Sequence, residues 1–221
     1  MVMYMLEIKL FESNDKPKIL CLGAHSDDIE IGCGGTILRF IEAAPKAQFR
    51  WIVFSGNENR NREAQQSASA FLNEIESKQI DIYNFRESYF PFIGAEIKDC
   101  FEKTKQEFSP DIIFTHCNND AHQDHILISQ LTWNTFRNHF IMEYEIPKYD
   151  GDLGTPNLYV HLDESLVQRK TDFLCDFFKT QKEKLWFSEK NFRSIMSIRG
   201  IESNSPTSYA EAFYCRKMVF H

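Results

Sequence analysis

Two short segments carry an unusual density of groups able to do chemistry. His25, Asp27, Asp28 and Glu30 crowd together after an apolar run. His116, Asp120, His122, Asp124 and His125 put three imidazoles and two carboxylates into ten residues. Two imidazoles and one carboxylate suit a catalytic zinc ion that keeps one position open for water. Such an ion lowers the pKa of its water to about 7 and polarises a carbonyl. A further carboxylate can then act as base, and a further imidazole can steady developing charge or protonate a leaving group. The two segments together supply one of each. Each segment alone has a plainer explanation: Asp and Ser after a strand cap helices, and an isolated His-x-x-His describes two solvated or capping imidazoles on one helix face. The conjunction is what points to a metal.

The elements around these segments predict how they meet. Residues 18–24 form an apolar run after Pro17 and read as a buried strand. Residues 34–44 read as a helix ended near Pro45, 48–54 as a strand, 62–75 as a helix, 79–83 as a short strand and 93–108 as a helix. Residues 110–116 read as the fourth strand and 122–139 as the helix after it. Strand–helix alternation of this kind predicts an α/β fold, a Rossmann-like, mostly parallel sheet with helices on both faces, in a single domain spanning 1–221. Ligands in such folds bind beyond the carboxyl ends of the strands. Both polar segments follow strand ends, so they face one another if the first and fourth strands are close. Beyond them, 144–156 reads as a loop that can shape a pocket, 157–162 as a strand, 164–178 as a helix and 182–198 as partly helical. Lys182, Glu183 and Lys184 read as a solvated helix face, and Trp186 and Phe187 as core. His161, after Tyr159 and Val160, is near enough to a strand end to approach the pocket but is given no role.

Composition narrows the function classes. A chain of 221 residues with an apolar fraction of 43% can bury a core without staples. The net charge of −7 argues against nucleic acid as a partner, because phosphate backbones demand a basic face. The six cysteines contain no Cys-x-x-Cys pair, which leaves a thiolate zinc knuckle or redox motif unsupported, and Cys21, Cys117 and Cys175 read as buried thiols. Residues 1–11 lack the pattern of a secretory signal, and no stretch has the length of a membrane span. A cytoplasmic protein is the expectation.

Ala24-His25-Ser26-Asp27-Asp28-Ile29-Glu30-Ile31-Gly32-Cys33-Gly34-Gly35-Thr36 resembles the signature of the LmbE-like, or PIG-L-type, N-acetylglucosaminyl deacetylases. That family usually has Pro where this chain has Ser26. His122-Gln123-Asp124-His125 resembles its second motif, usually with Pro or Thr at the Gln123 position. Arg60-Asn61-Arg62-Glu63-Ala64, the 157–160 strand, Lys170, Thr180-Gln181, Arg199-Gly200 and Tyr209-Ala210-Glu211-Ala212-Phe213 resemble later family features in the right order, so the likeness runs from about residue 18 to the end. The resemblance implies that His25, Asp28 and His125 bind Zn2+, with Fe2+ or another divalent ion as the alternative. It makes Asp27 the base that activates water, and His122 the group that stabilises the oxyanion or protonates the departing amine. Asp124 would orient an imidazole and hold its proton. Arg60, or Arg62 in its place, would meet the substrate. The implied activity is removal of the acetyl group from an N-acetylated amino sugar or a small-molecule conjugate of one. Family members often assemble, so a homo-oligomer is compatible.

Three rival readings remain open at this stage. Residues 29–35 resemble the glycine-rich loop of S-adenosylmethionine-dependent methyltransferases, but that loop should directly follow the buried strand. The two-His, one-carboxylate set also fits a non-haem iron enzyme, although strand–helix alternation is not the architecture that goes with it. A member that binds a sugar or a partner without catalysis is the third.

Overall fold

A computed structural model of the chain describes residues 6–12 and 15–219, so residues 1–5 of the N-terminal apolar run lie outside the described part. Among the described residues seven strands form one sheet: β1 (Lys18–Gly23), β2 (Gln48–Ser55), β3 (Ser77–Phe85), β4 (Ile112–His116), β5 (Phe140–Tyr144), β6 (Leu158–Leu162) and β7 (Tyr209–Tyr214). Their order is β3-β2-β1-β4-β5-β7-β6. The first five strands in this order run parallel, and β7 pairs antiparallel with both β5 and β6. The helices are α1 (Asp28–Ala43), α2 (Glu58–Phe71), α3 (Gly94–Glu107), α4 (Gln123–Thr135), α5 (Glu164–Phe177) and α6 (Glu189–Glu202).

The side-chain alternation of a strand sets the two layers. In β1, Ile19 and Cys21 join one apolar cluster with Ile37 of α1, Phe71 of α2, Val167 of α5 and Phe192 of α6. Leu20 and Leu22 join the other, with Ile97 and Phe101 of α3 and Ile128 of α4. Helices therefore cover both faces of the sheet. Among the described residues no helix is long and apolar enough to cross a membrane.

The order reverses between β1 and β4. From β1 the chain winds one way to β2 and β3; after α3 it returns to β4, beside β1, and winds the other way. Ile19 pairs with Ile112, Leu20 with Ile113 and Cys21 with Phe114. The two polar segments thus leave adjacent strand ends, at the switch point where α/β sheets open a crevice.

Helix α1 departs from the sequence expectation. It begins at Asp28, six residues before the expected start, and it bends at Cys33, whose φ is −143°. Side-chain groups inserted into the helical ladder produce such a kink. Here the Glu211 carboxylate of β7 accepts the N–H groups of Gly35 (2.9 Å) and Thr36 (2.6 Å), and Lys170 of α5 donates to the Ile31 carbonyl (2.6 Å) and to Glu211 (2.6 Å). The glycines are needed for close approach. A Cβ on Gly32 would lie 2.2 Å from the Tyr144 ring, and one on Gly35 2.5 Å from Leu162. They pack a helix against β5 and β6 and form no cofactor loop. Strands β5 and β7 were not expected. The helix expected over 122–139 ends at Thr135, which frees Phe140–Tyr144 to pair with β4.

Candidate active site

The segment after β1 starts α1, and the segment after β4 starts α4, so both sets of polar side chains sit at helix N-termini over the crevice. His25 Nδ1 lies 3.0 Å from His125 Nε2 and 3.3 Å from Asp28 Oδ2, and His125 Nε2 lies 3.5 Å from the same Asp28 oxygen. A tetrahedral ion with ligand distances of about 2.0–2.1 Å spaces its ligand atoms about 3.3–3.4 Å apart. The triangle of His25 Nδ1, Asp28 Oδ2 and His125 Nε2 has that size. Asp28 Oδ2 is fixed further by the His25 backbone N–H at 2.6 Å.

The far nitrogens of both rings face carboxylates. His25 Nε2 is 3.2 Å from Asp124 Oδ2, and His125 Nδ1 is 2.9 Å from Asp120 Oδ2. A carboxylate there holds the ring proton and turns the opposite lone pair inward. Both inward lone pairs and the Asp28 oxygen therefore converge on one point, which a cation relieves. The set of two imidazole nitrogens and one carboxylate oxygen fits a divalent metal. Burial works against the charged form of His25, but Asp28 and Asp124 outweigh it and carry its pKa up to about 10. Burial is likewise overcome at His125, which Asp28 and Asp120 push upward. Asp28 is buried too, yet His125, His25 and His116 hold it well below the usual carboxylate range.

Asp27 stands next to this point and takes no part in the triangle. Its Oδ1 is 3.3 Å from Arg60 Nη2, and its Oδ2 is buried without a partner. Burial raises its pKa above the ordinary value; Arg60 opposes this and Asp28 adds to it. Arg60 Nη1 also donates to Glu87 Oε2 at 2.6 Å. Arg60 is buried at the start of α2 and lines the crevice, whereas Arg62 is exposed and pairs with Glu58 one turn away on the same helix. The register near these arginines, open in the sequence, places Arg60 at the site and Arg62 outside it.

His122 caps α4: its Nδ1 accepts the Asp124 N–H at 3.2 Å. The neutral ring must then carry its proton on Nε2. It is half-buried, and burial together with the neighbouring His125 and His25 lowers its pKa. The ring stacks on His125 at 4.6 Å. Asp124, expected to orient an imidazole, serves His25 and not the adjacent His122. It is fixed by the backbone N–H groups of Ser88 (2.6 Å) and Phe90 (3.2 Å).

Sequence reading gave no role to His116 and Asp120. His116 is fully buried, accepts the Ala24 N–H at 3.0 Å, lies 3.2 Å from Asp28 Oδ2 and stacks on His125 at 3.9 Å. Burial and the neighbouring His125 pull its pKa down to about 4, against Asp28, so it stays neutral at pH 7. The signal for both residues was the density of the 116–125 segment itself.

His25, Asp27, Asp28, Arg60, His122 and His125 line an open crevice. Tyr149 and Asp150 of the 144–156 loop line its mouth, as do Lys184 and Trp186. Three expectations change here. Lys182, Glu183 and Lys184 form a turn, not a helix face; Trp186 is half-buried at the rim while Phe187 is core; Cys175 is half-buried, though Cys21 and Cys117 are buried as expected. His161 lies outside the crevice, 3.9 Å from Glu7.

A mostly parallel α/β sheet with a His/Asp cluster at its switch point defines the class, and comparison with known proteins supplies the family. Residues 20–136 match the GlcNAc-PI de-N-acetylase family, PIG-L. The chain belongs to that family. Among solved structures it resembles N,N'-diacetylchitobiose deacetylase from Pyrococcus horikoshii, at 21% identity over 91% of this chain and 84% of that one, with a TM-score of 0.63. It also resembles 4-carboxy-2-hydroxymuconate hydratase GalB from Pseudomonas putida KT2440, at 13% identity over 93% and 98% of the two chains, with a TM-score of 0.73. The zinc-inhibited form of teicoplanin deacetylase Orf2 shares 12% identity over 90% and 97%, with a TM-score of 0.67. A search of curated protein sequences gives no match. Likeness at these identities shows the fold, and this fold carries a hydratase as well as deacetylases, so the reaction is argued from the site.

Proposed function

We propose that this chain is a zinc-dependent hydrolase that removes the acetyl group from an N-acetylated amino sugar or a conjugate of one. The observation that carries the reading is the triangle of His25 Nδ1, Asp28 Oδ2 and His125 Nε2, with edges of 3.0, 3.3 and 3.5 Å. Family membership supports it. Bound at these three atoms, zinc would supply a Lewis acid for the acetamide carbonyl and acidify a water beside it.

The remaining steps belong to the side chains. Arg60 occupies Asp27 Oδ1 and leaves Oδ2 to take the proton of the attacking water. His122, with its proton on Nε2, donates a hydrogen bond to the tetrahedral oxyanion, and the proton that Asp27 has taken from the water passes to the departing amine as the C–N bond breaks. Asp124 and Asp120 keep His25 and His125 in the tautomers that turn a lone pair inward. Arg60 also presents a polar edge to the sugar. The same three donors suit Fe2+, so metal content is to be measured alongside activity.

The test is an amine-release assay across acetylated amino sugars and their conjugates, with and without a chelator. Release that a chelator abolishes and zinc restores is expected. Zinc-loaded protein that releases no amine from any of them would overturn the reading.

A further inference from the structure

The two ring-holding carboxylates are not equivalent. Asp124 Oδ2 shares itself between His25 Nε2 (3.2 Å) and the Ser88 N–H (2.6 Å), and its Oδ1 takes the Phe90 N–H (3.2 Å). Apart from His25, all its partners are neutral amides. Asp120 Oδ2 shares itself between His125 Nδ1 (2.9 Å) and the ammonium of Lys148 (3.1 Å), while Oδ1 takes the His122 N–H (2.8 Å). Lys148 also pairs with Asp152, whose Oδ2 accepts the Ala121 N–H at 2.7 Å. This network is sheltered: the Lys148 side chain is 9% exposed and that of Asp120 2%.

We propose that Lys148 is a positioning residue for the metal site: its ammonium draws on the Asp120 oxygen that holds His125, and so limits how strongly His125 donates to an ion. The inference rests on the reading that His125 is a ligand. A charge-assisted hydrogen bond is about twice as strong as a neutral one, so the ammonium takes more of the Asp120 oxygen than an amide would. A carboxylate deprived in this way polarises its imidazole less, and the ring becomes a weaker donor. The positive charge opposes a cation directly as well. Both effects have one sign: Lys148 loosens the ion and leaves it more electrophilic. Lys148 also borders the crevice beside Tyr149 and Asp150, so the loop at the mouth and the ligand His125 are joined through two contacts.

The sign separates this role from a tether. Cutting a purely structural tether loosens a site, whereas removing an opposing charge tightens it. Metal-free protein is titrated with zinc against a chromophoric chelator. Lys148→Met and Lys148→Gln should bind zinc about tenfold more tightly than the wild-type chain, and Lys148→Arg should return to the wild-type affinity. Asp152→Asn leaves the ammonium on Asp120 and should not tighten binding. Unchanged or weaker zinc binding in the two neutral variants overturns the proposal, as does tightening in Asp152→Asn equal to theirs. A His125→Ala chain that keeps zinc would instead refute the ligand assignment, a result that is read separately.

Discussion

Asp124 hydrogen-bonds His25, ninety-nine positions away in the chain, and not the neighbouring His122. Its helix therefore serves the segment after β1 as well as its own. His122 instead caps α4, its Nδ1 accepting the Asp124 N–H, which leaves its proton on Nε2.

The division of labour predicts a split between metal content and turnover. Asp27→Ala and His122→Ala should keep zinc and lose about 10²–10⁴-fold in kcat, whereas His125→Ala should lose zinc. Metal analysis paired with the amine-release assay checks both. An Asp27→Ala protein working at the wild-type rate would rule out the base assignment.

Arg60 and Arg62 should behave oppositely. Arg60→Ala frees Asp27 Oδ1 and leaves Glu87 unpaired, and misplacing a catalytic group by about 1 Å costs about 10²-fold. Arg62→Ala removes only an exposed pair with Glu58 and should change stability by less than about 0.5 kcal/mol. Steady-state kinetics and urea melts of the two variants test the contrast.

The metal-free chain should lose stability as pH rises. The folded pKa of His25, about 10, stands above its ordinary 6.5. Its stabilising proton is therefore fully bound below pH 6.5 and is lost through pH 10. Asp28 runs the other way: held low, it contributes at neutral pH and its contribution disappears on acidification. Urea midpoints of chelator-treated protein should fall between pH 6.5 and 10, and zinc should flatten the decline by replacing the protons. Calorimetry at pH 7 in buffers of different ionisation enthalpy should show protons released as zinc binds. A midpoint that climbs over this range would contradict the assignment.

The kink in α1 depends on a buried ion pair. Lys170→Met leaves the Glu211 carboxylate buried and uncompensated, which should cost about 3–5 kcal/mol. Lys170→Met combined with Glu211→Gln should recover part of that. Chemical denaturation of both proteins measures it.

Much of this arrangement was legible in the chain. Apolar runs ending at Ala24 and His116 foretold strand ends, and the polar residues after them foretold a shared crevice. What sequence reading missed depends on contacts across long separations. β7 contains Ala and Glu, which favour helices, and becomes a strand because β5 and β6 flank it. The start of α1 was misplaced because its glycines look like a turn until Tyr144 and Leu162 are seen against them. Arg60 and Arg62 read as alternatives until Asp27 and Glu87 are seen to close on Arg60. Asp120 shows its place only through His125 and Lys148.

The adjacency of β1 and β4 also governs when the site can exist. His25 and Asp28 are made early in synthesis, but His125 reaches them only after β4 has inserted beside β1, a pairing across most of the first half of the chain. Contacts of such sequence separation form late and slowly. No fragment ending before α4 holds all three proposed donors, so a growing chain would gain its grip on an ion only once α4 has formed. Tight metal binding would thus mark a finished central sheet, and a chain stalled before that step would hold the ion no better than a loose His–Asp pair does.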